Sequence, residues 1–324
     1  MTPSTILIAI GAALTSALLF AGLATQSALA VGFALATPVP IAIAGLGWGS
    51  AAGFIAAFAA PVLIFVFSGN LPTSLTLAIA MTIPTAVCCH LAQRKFAVAP
   101  PIETPHSPHD IQPSDAAIEW MPIGRILFVL TTLAAIACVL IGWLLGYDAD
   151  TVRTAMTAAF VESGNELDAA AQLQLKNLVS VIVDLVPLIQ PSVLTLTLVV
   201  CLHLGSAIAR RSGRLERPKD DLPAVTSLPQ DALLLFALTL SGTFLTGSAG
   251  LIATVFAGAF GTAFALVGLA RLHKRTQGRP ARGLILFVVY TAILFLTFPL
   301  FVFVIIGIVD VWRHGERLLP SRPG

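Results

Sequence analysis

Chemistry in this chain would have to come from a short list of side chains. Asp184 is the one carboxylate well inside an apolar run, in Asp184-Leu-Val-Pro187-Leu-Ile-Gln190-Pro191. An ionisable group within a membrane span is costly and often marks a ligand or ion path, and proline-interrupted helices often mark transporter sites. Asp184 and Gln190 are therefore candidate ligand-binding residues. The plainer reading is that Asp184, about two turns from the end of its run, only reaches the membrane interface. His203 and His90 stand near run ends with no Cys or acid at ligand spacing, and read as polar packing groups. His106-Ser-Pro-His109-Asp110 has metal-ligand residue types, but it lies in a proline-rich stretch, so neither a metal nor another cofactor is expected. Cys88, Cys89, Cys138 and Cys201 all fall in apolar runs and read as small buried hydrophobes. Nucleophile elbow, phosphate loop, HExxH and clustered carboxylates are all missing, which argues against an enzyme.

Two further patterns concern packing. Pro38–Gly53, PVPIAIAGLGWGSAAG, carries Pro38, Pro40, Trp48 and glycines at 45, 49 and 53 inside an apolar run. Proline removes a backbone donor. Glycine at every fourth position clears one helix face for close approach of another backbone. Broken backbone at membrane depth requires cover by protein or a cavity. Ala9, Ala13 and Ala17, with Ala21, form a similar small-residue ladder on the first helix. That face serves either packing within the chain or docking of a membrane partner.

The elements that position these residues are membrane helices. The chain is 57% hydrophobic and 10% charged, and residues 1–93 contain no Asp, Glu, Lys or Arg, whereas soluble domains carry about 25% charged residues. Apolar segments run over 5–25, 29–46, 50–67, 72–91, 125–146, 178–208, 232–246, 249–270 and 284–309, so the expected fold is all-α and polytopic, with about 8–9 transmembrane segments. The first run exceeds the usual signal-peptide core and lacks a preceding base, so it reads as a retained helix.

Three segments, at 93–125, 209–230 and 271–283, hold 13 of the 18 Lys and Arg residues, while 147–177 has five acids against Arg153 and Lys176. The positive-inside rule then places the basic segments and the N-terminus in the cytoplasm and 147–177 outside. The final run of 26 residues, about 39 Å as a helix, is read as one tilted span; a hairpin at Pro299 is the alternative. Four divisions follow: an N-terminal four-helix half (1–95), a proline-rich cytoplasmic linker (96–124), a C-terminal half (125–312) with an amphipathic insert at 147–177, and a polar tail (313–324). The insert reads as one or two short helices, lying at the interface or forming a lid. Positive-inside bias accounts for the basic loops, so no nucleic-acid partner is expected.

Several pieces in order resemble the YybS-like family of bacterial membrane proteins. They are Pro38-Val-Pro40 with Gly45-Leu-Gly-Trp48-Gly49, Arg211-Ser-Gly-Arg-Leu-Glu-Arg-Pro218 with Asp221-Leu, and Leu228-Pro229. Gly268-Leu-Ala-Arg-Leu-His273 and Gly307-Ile-Val-Asp310-Val-Trp312 with Arg317 complete the series. That family is more distantly similar to the substrate-binding components of energy-coupling-factor transporters. The resemblance implies a bacterial inner-membrane protein with a solute-binding fold, and a docking role for Ala9, Ala13 and Ala17. On this expectation a solute cavity lies between Pro38–Pro40 with Trp48, the Pro187–Pro191 segment with Asp184 and Gln190, and Tyr290. The expected partners are the bilayer, a small solute and a membrane protein. The alternative is a scaffold that holds a partner through helix faces and basic loops.

Overall fold

A run without charges has no face for bulk water, so its helices can bury backbone only against lipid and one another. The computed structural model, which describes residues 2–25, 27–98, 117–162, 169–296 and 298–316, follows that logic. The first half comprises α1 (Pro3–Ala21), α2 (Ala28–Leu35), α3 (Pro38–Trp48), α4 (Ser50–Ser68), α5 (Leu71–Leu77), a π-helical turn (Ala78–Thr82) and α6 (Ile83–Ala92). Strands β1 (Lys95–Val98) and β2 (Ala117–Trp120) pair antiparallel, Lys95 opposite Trp120. The ends of the expected flexible linker are thus a two-stranded ribbon; His106, His109 and Asp110 lie outside the described residues. The second half comprises α7 (Ile123–Leu144), α8 (Ala149–Glu162), α9 (Ala169–Arg211), α10 (Leu222–Val225), α11 (Asp231–Gly242), α12 (Gly247–Thr276), α13 (Arg282–Leu296) and α14 (Pro299–Glu316). The protein is all-α and polytopic: seven helical stretches among the described residues are long and apolar enough to cross a membrane, and α13 with α14 forms a further apolar pair with a sharp bend.

Two segments depart from the expectation. The 232–246 run forms a helix of 12 residues, about 18 Å and too short to cross hydrocarbon. The last run is no single span, because α13 and α14 meet at 117°. Pro299 opens α14, and a proline disfavours helical geometry in the residue before it. Arg271, near the end of α12, pairs with Asp310, near the end of α14, at 2.7 Å. Both helices therefore finish at the same end of the bundle. The chain leaves α14 beside the basic 271–283 segment, as the charge rule prefers.

Helix α12 is the hub of the second half. Phe260, Ala263, Phe264 and Val267 are fully buried in one cluster with Ala232 of α11 and Val311 of α14. Glycines set its closest crossings: a Cβ on Gly268 would stand 2.0 Å from the Phe303 carbonyl oxygen, and one on Gly307 2.1 Å from that of Phe264. The halves meet as tightly, since a Cβ on Gly205 of α9 would lie 2.5 Å from the Ala42 Cβ of α3.

Proline breaks are repaired by hydroxyls. Pro61 lies inside α4 and removes the amide that would bond the Ala57 carbonyl; Thr82 donates its hydroxyl there instead, at 2.7 Å. Ser74 donates to the Pro61 carbonyl itself at 2.7 Å. In α9 the carbonyl freed by Pro187 is that of Val183, and the Tyr147 hydroxyl lies 3.5 Å from it. Thr82→Val keeps the shape and removes the donor, so it should lower unfolding free energy by about 1–3 kcal/mol. Thr15→Val, on the exposed side of α1 and bonded only within its own helix, should change little; equal effects in denaturant titration would refute the repair role.

Candidate functional site

The residues expected to line a solute cavity stand at different levels of the bundle. Pro38 is buried and Pro40 half-buried at the start of α3. There Cys201 of α9 donates to the Leu35 carbonyl at 3.2 Å, which places the α3 prolines beside residues 201–205. Pro191 is ten residues earlier in α9, roughly 15 Å away along the axis. Trp48 lies under the Arg214 guanidinium, 5.3 Å from ring to charge, at the end where the basic segments gather. Tyr290 on α13 bonds His273 Nε2 of α12 at 2.9 Å, also toward that end. Gln190 is exposed.

The glycine and alanine ladders are used within the chain. The helix stops at Trp48, and Gly49 turns with φ of 97°, a conformation side chains disfavour. Gly45, Gly49 and Gly53 therefore do not share one helix face as the spacing suggests. Gly45 and Gly53 face each other across the turn, where a Cβ on Gly53 would come within 2.9 Å of the Gly45 Cα. The Gly45 carbonyl, left without its helical donor, accepts from the Gln93 side-chain amide. Ala9 packs with Ala44 and Ala52, Ala13 with Ile41, Ala56 and Ala57, and Ala17 with Ile64 and Leu77. This face of α1 is occupied by α3, α4 and α5, so it is not open to a docking partner. All four cysteines are buried and free.

The polar chemistry instead lies where α8 meets α9, at the end opposite the basic segments. Asp148 caps α8: the Thr151 amide and hydroxyl donate to its Oδ2 at 2.9 and 2.6 Å, and these bonds hold the carboxyl below its ordinary range. Arg153, one turn on, donates to Asp150 and to Asp184 of α9, and the bond it gives to Asp184 raises its pKa. Burial moves the Tyr147 phenol upward. Asp184 is thus a tie between two helices, with 58% of its side chain exposed, and an exposed pair of this kind contributes little to stability. Beside it an open groove of about 860 Å³ is lined by Arg153, Thr157, Leu173, Lys176, Asn177 and Ser180. The second half of the insert is not a short helix but the start of α9. That helix has 43 residues, about 64 Å against a hydrocarbon core of about 30 Å. It is longer than one crossing needs, α8 is braced against its first turns, and Leu173, Leu178, Val181 and Ile182 there are exposed.

Two buried arginines were not singled out from the sequence. Arg217 donates to the Met121 carbonyl at 2.9 Å, to Asp220 at 2.7 Å and to the Ala92 carbonyl at 3.4 Å, while Arg210 donates to the Arg217 carbonyl at 2.7 Å. Together they latch the end of α6 and the end of the linker to the loop after α9. The other is Arg271, paired with Asp310. An acid closing a long apolar run was the available signal for Asp310; nothing in the sequence distinguishes Arg217 from its basic neighbours. Compared with known proteins, the chain matches no family model, no curated protein and no solved structure.

Proposed function

We propose that this multi-pass membrane protein is a non-enzymatic scaffold of a bacterial inner membrane, with its N-terminus and basic loops in the cytoplasm. It holds a partner protein against the α8–α9 arm. The observation that carries this reading is the contrast between interior and arm. The interior closes tightly where Gly205 meets the Ala42 methyl group, and where a Cβ on Gly258 would lie 2.2 Å from the Leu188 carbonyl oxygen. The arm belongs to a helix longer than one crossing needs, is tied to α8 through Arg153 and Asp184, and exposes Leu178, Val181 and Ile182. Charge placement supports the orientation, and the order of motifs supports the likeness to YybS-like proteins. Solute capture is the second reading, and the groove with Arg153, Lys176 and Asn177 favours it.

Native mass spectrometry of the gently extracted protein separates the two. The scaffold reading expects a retained partner chain that Leu178→Glu with Val181→Glu releases, while Leu294→Glu on α13 does not. A discrete small-molecule adduct, lost on Lys176→Gln and seen without any partner chain, would replace it with solute binding.

A further inference from the structure

The two larger basic segments sit at the same end but dispose of their charge differently. In 210–219 the charge is used locally: Arg217 pairs with Asp220, Arg210 serves two carbonyls, Arg214 covers Trp48, and Glu216 pairs with Lys95 at 3.0 Å. In 271–283, Arg271 is taken by Asp310, and no acidic residue occurs between them in sequence. Among the described residues, no ion pair reaches Lys274, Arg275, Arg279 or Arg282. Four like charges therefore lie close together in sequence on this turn, with no acidic partner among the described residues.

Directly beyond this turn stands α13, which has no buried residue. Leu284, Phe287, Val288 and Phe295 are all more than half exposed. Its tie to α12 is the His273–Tyr290 hydrogen bond, placed where aromatic rings with a polar tip settle at membrane interfaces. The complement of this surface is a molecule with an anionic head and apolar tails. Free phosphate would answer the bases and leave the apolar wall unused. Basic pockets between membrane helices hold lipid headgroups in this way.

We infer that the α12–α13 turn binds an anionic phospholipid, its phosphate held by Lys274, Arg275, Arg279 and Arg282 and its acyl chains laid along α13. The lipid offsets part of the charge on the turn and covers the side of α13 that the bundle leaves exposed.

The test uses the full chain in neutral detergent, offered phosphatidylglycerol or phosphatidylcholine of matched acyl chains, with retained lipid read by native mass spectrometry. Each base near an anionic headgroup contributes a factor of about five, so phosphatidylglycerol should be retained at least about tenfold better. Lys274→Gln, Arg275→Gln, Arg279→Gln and Arg282→Gln together should bring that preference close to one; Arg211→Gln with Lys219→Gln should leave it intact. The half-sets Lys274→Gln/Arg275→Gln and Arg279→Gln/Arg282→Gln guard against misfolding of the quadruple variant, and each should lose part of the preference. Equal retention of the two lipids, or an unchanged preference in both half-sets, overturns the inference. Displacement of the lipid by an equal concentration of inorganic phosphate overturns it too, because the surface is then a plain phosphate site.

Discussion

Gly268→Ala is expected to be among the most damaging single changes in the protein. Its methyl group would stand 2.0 Å from a backbone oxygen of Phe303, and a backbone obstacle has no alternative rotamer. The helices α12 and α14 must separate, and the separation is felt in the cluster of Phe260, Phe264 and Val311 just beside the crossing. Overpacking in a dense interior costs about 1–3 kcal/mol or more, and this site lies at the upper end because two backbones are involved. Gly307→Ala should behave alike, as its added methyl would meet the Phe264 carbonyl. Gly11→Ala is the control, since nothing lies within 4 Å of a Cβ there. Unfolding midpoints in one detergent decide the matter: a Gly268→Ala midpoint equal to that of Gly11→Ala would mean that the helices do not cross as described.

The second large effect concerns Arg271 and Asp310, whose side chains are only 10% and 15% exposed. Arg271→Gln removes the cation that stands 2.7 Å from a buried carboxylate, and breaking such a pair costs about 3–5 kcal/mol. Exchanging both residues for apolar ones of similar size, as Arg271→Met with Asp310→Leu, removes the charge problem along with the bond and should cost far less. The same denaturation assay checks it. A double variant as unstable as Arg271→Gln alone would show that the pair matters for more than mutual neutralisation.

Much of this architecture was legible from residue types. The charge-free stretch 1–93 announces membrane helices because lipid tolerates no other surface, and eight of the nine apolar runs coincide with helices of spanning length or with the bent pair. What resisted reading was anything set by geometry between distant segments. Glycines four apart suggest one face of one helix, but Gly49 ends α3, and the same spacing then brings Gly45 against Gly53 across a turn. A run of 26 apolar residues suggests one span, yet Pro299 divides it. Asp184 is tied to Arg153, 31 residues earlier in a helix that composition alone cannot aim. The alanine ladder leaves packing and docking both open, and the choice depends on where α3, α4 and α5 come to lie.

The repair of Pro61 by Thr82 also bears on the order in which the protein is made. Helix α4 leaves the ribosome with the Ala57 carbonyl unbonded, and its donor emerges 25 residues later. The first half therefore cannot settle helix by helix; α4 waits for the strand of synthesis that carries the π-helical turn and α6. In α9 the order is reversed, because Tyr147 is already in place when Val183 and Pro187 arrive. One half of the chain completes its broken helices in retrospect, and the other threads its proline helix into a membrane neighbourhood prepared in advance.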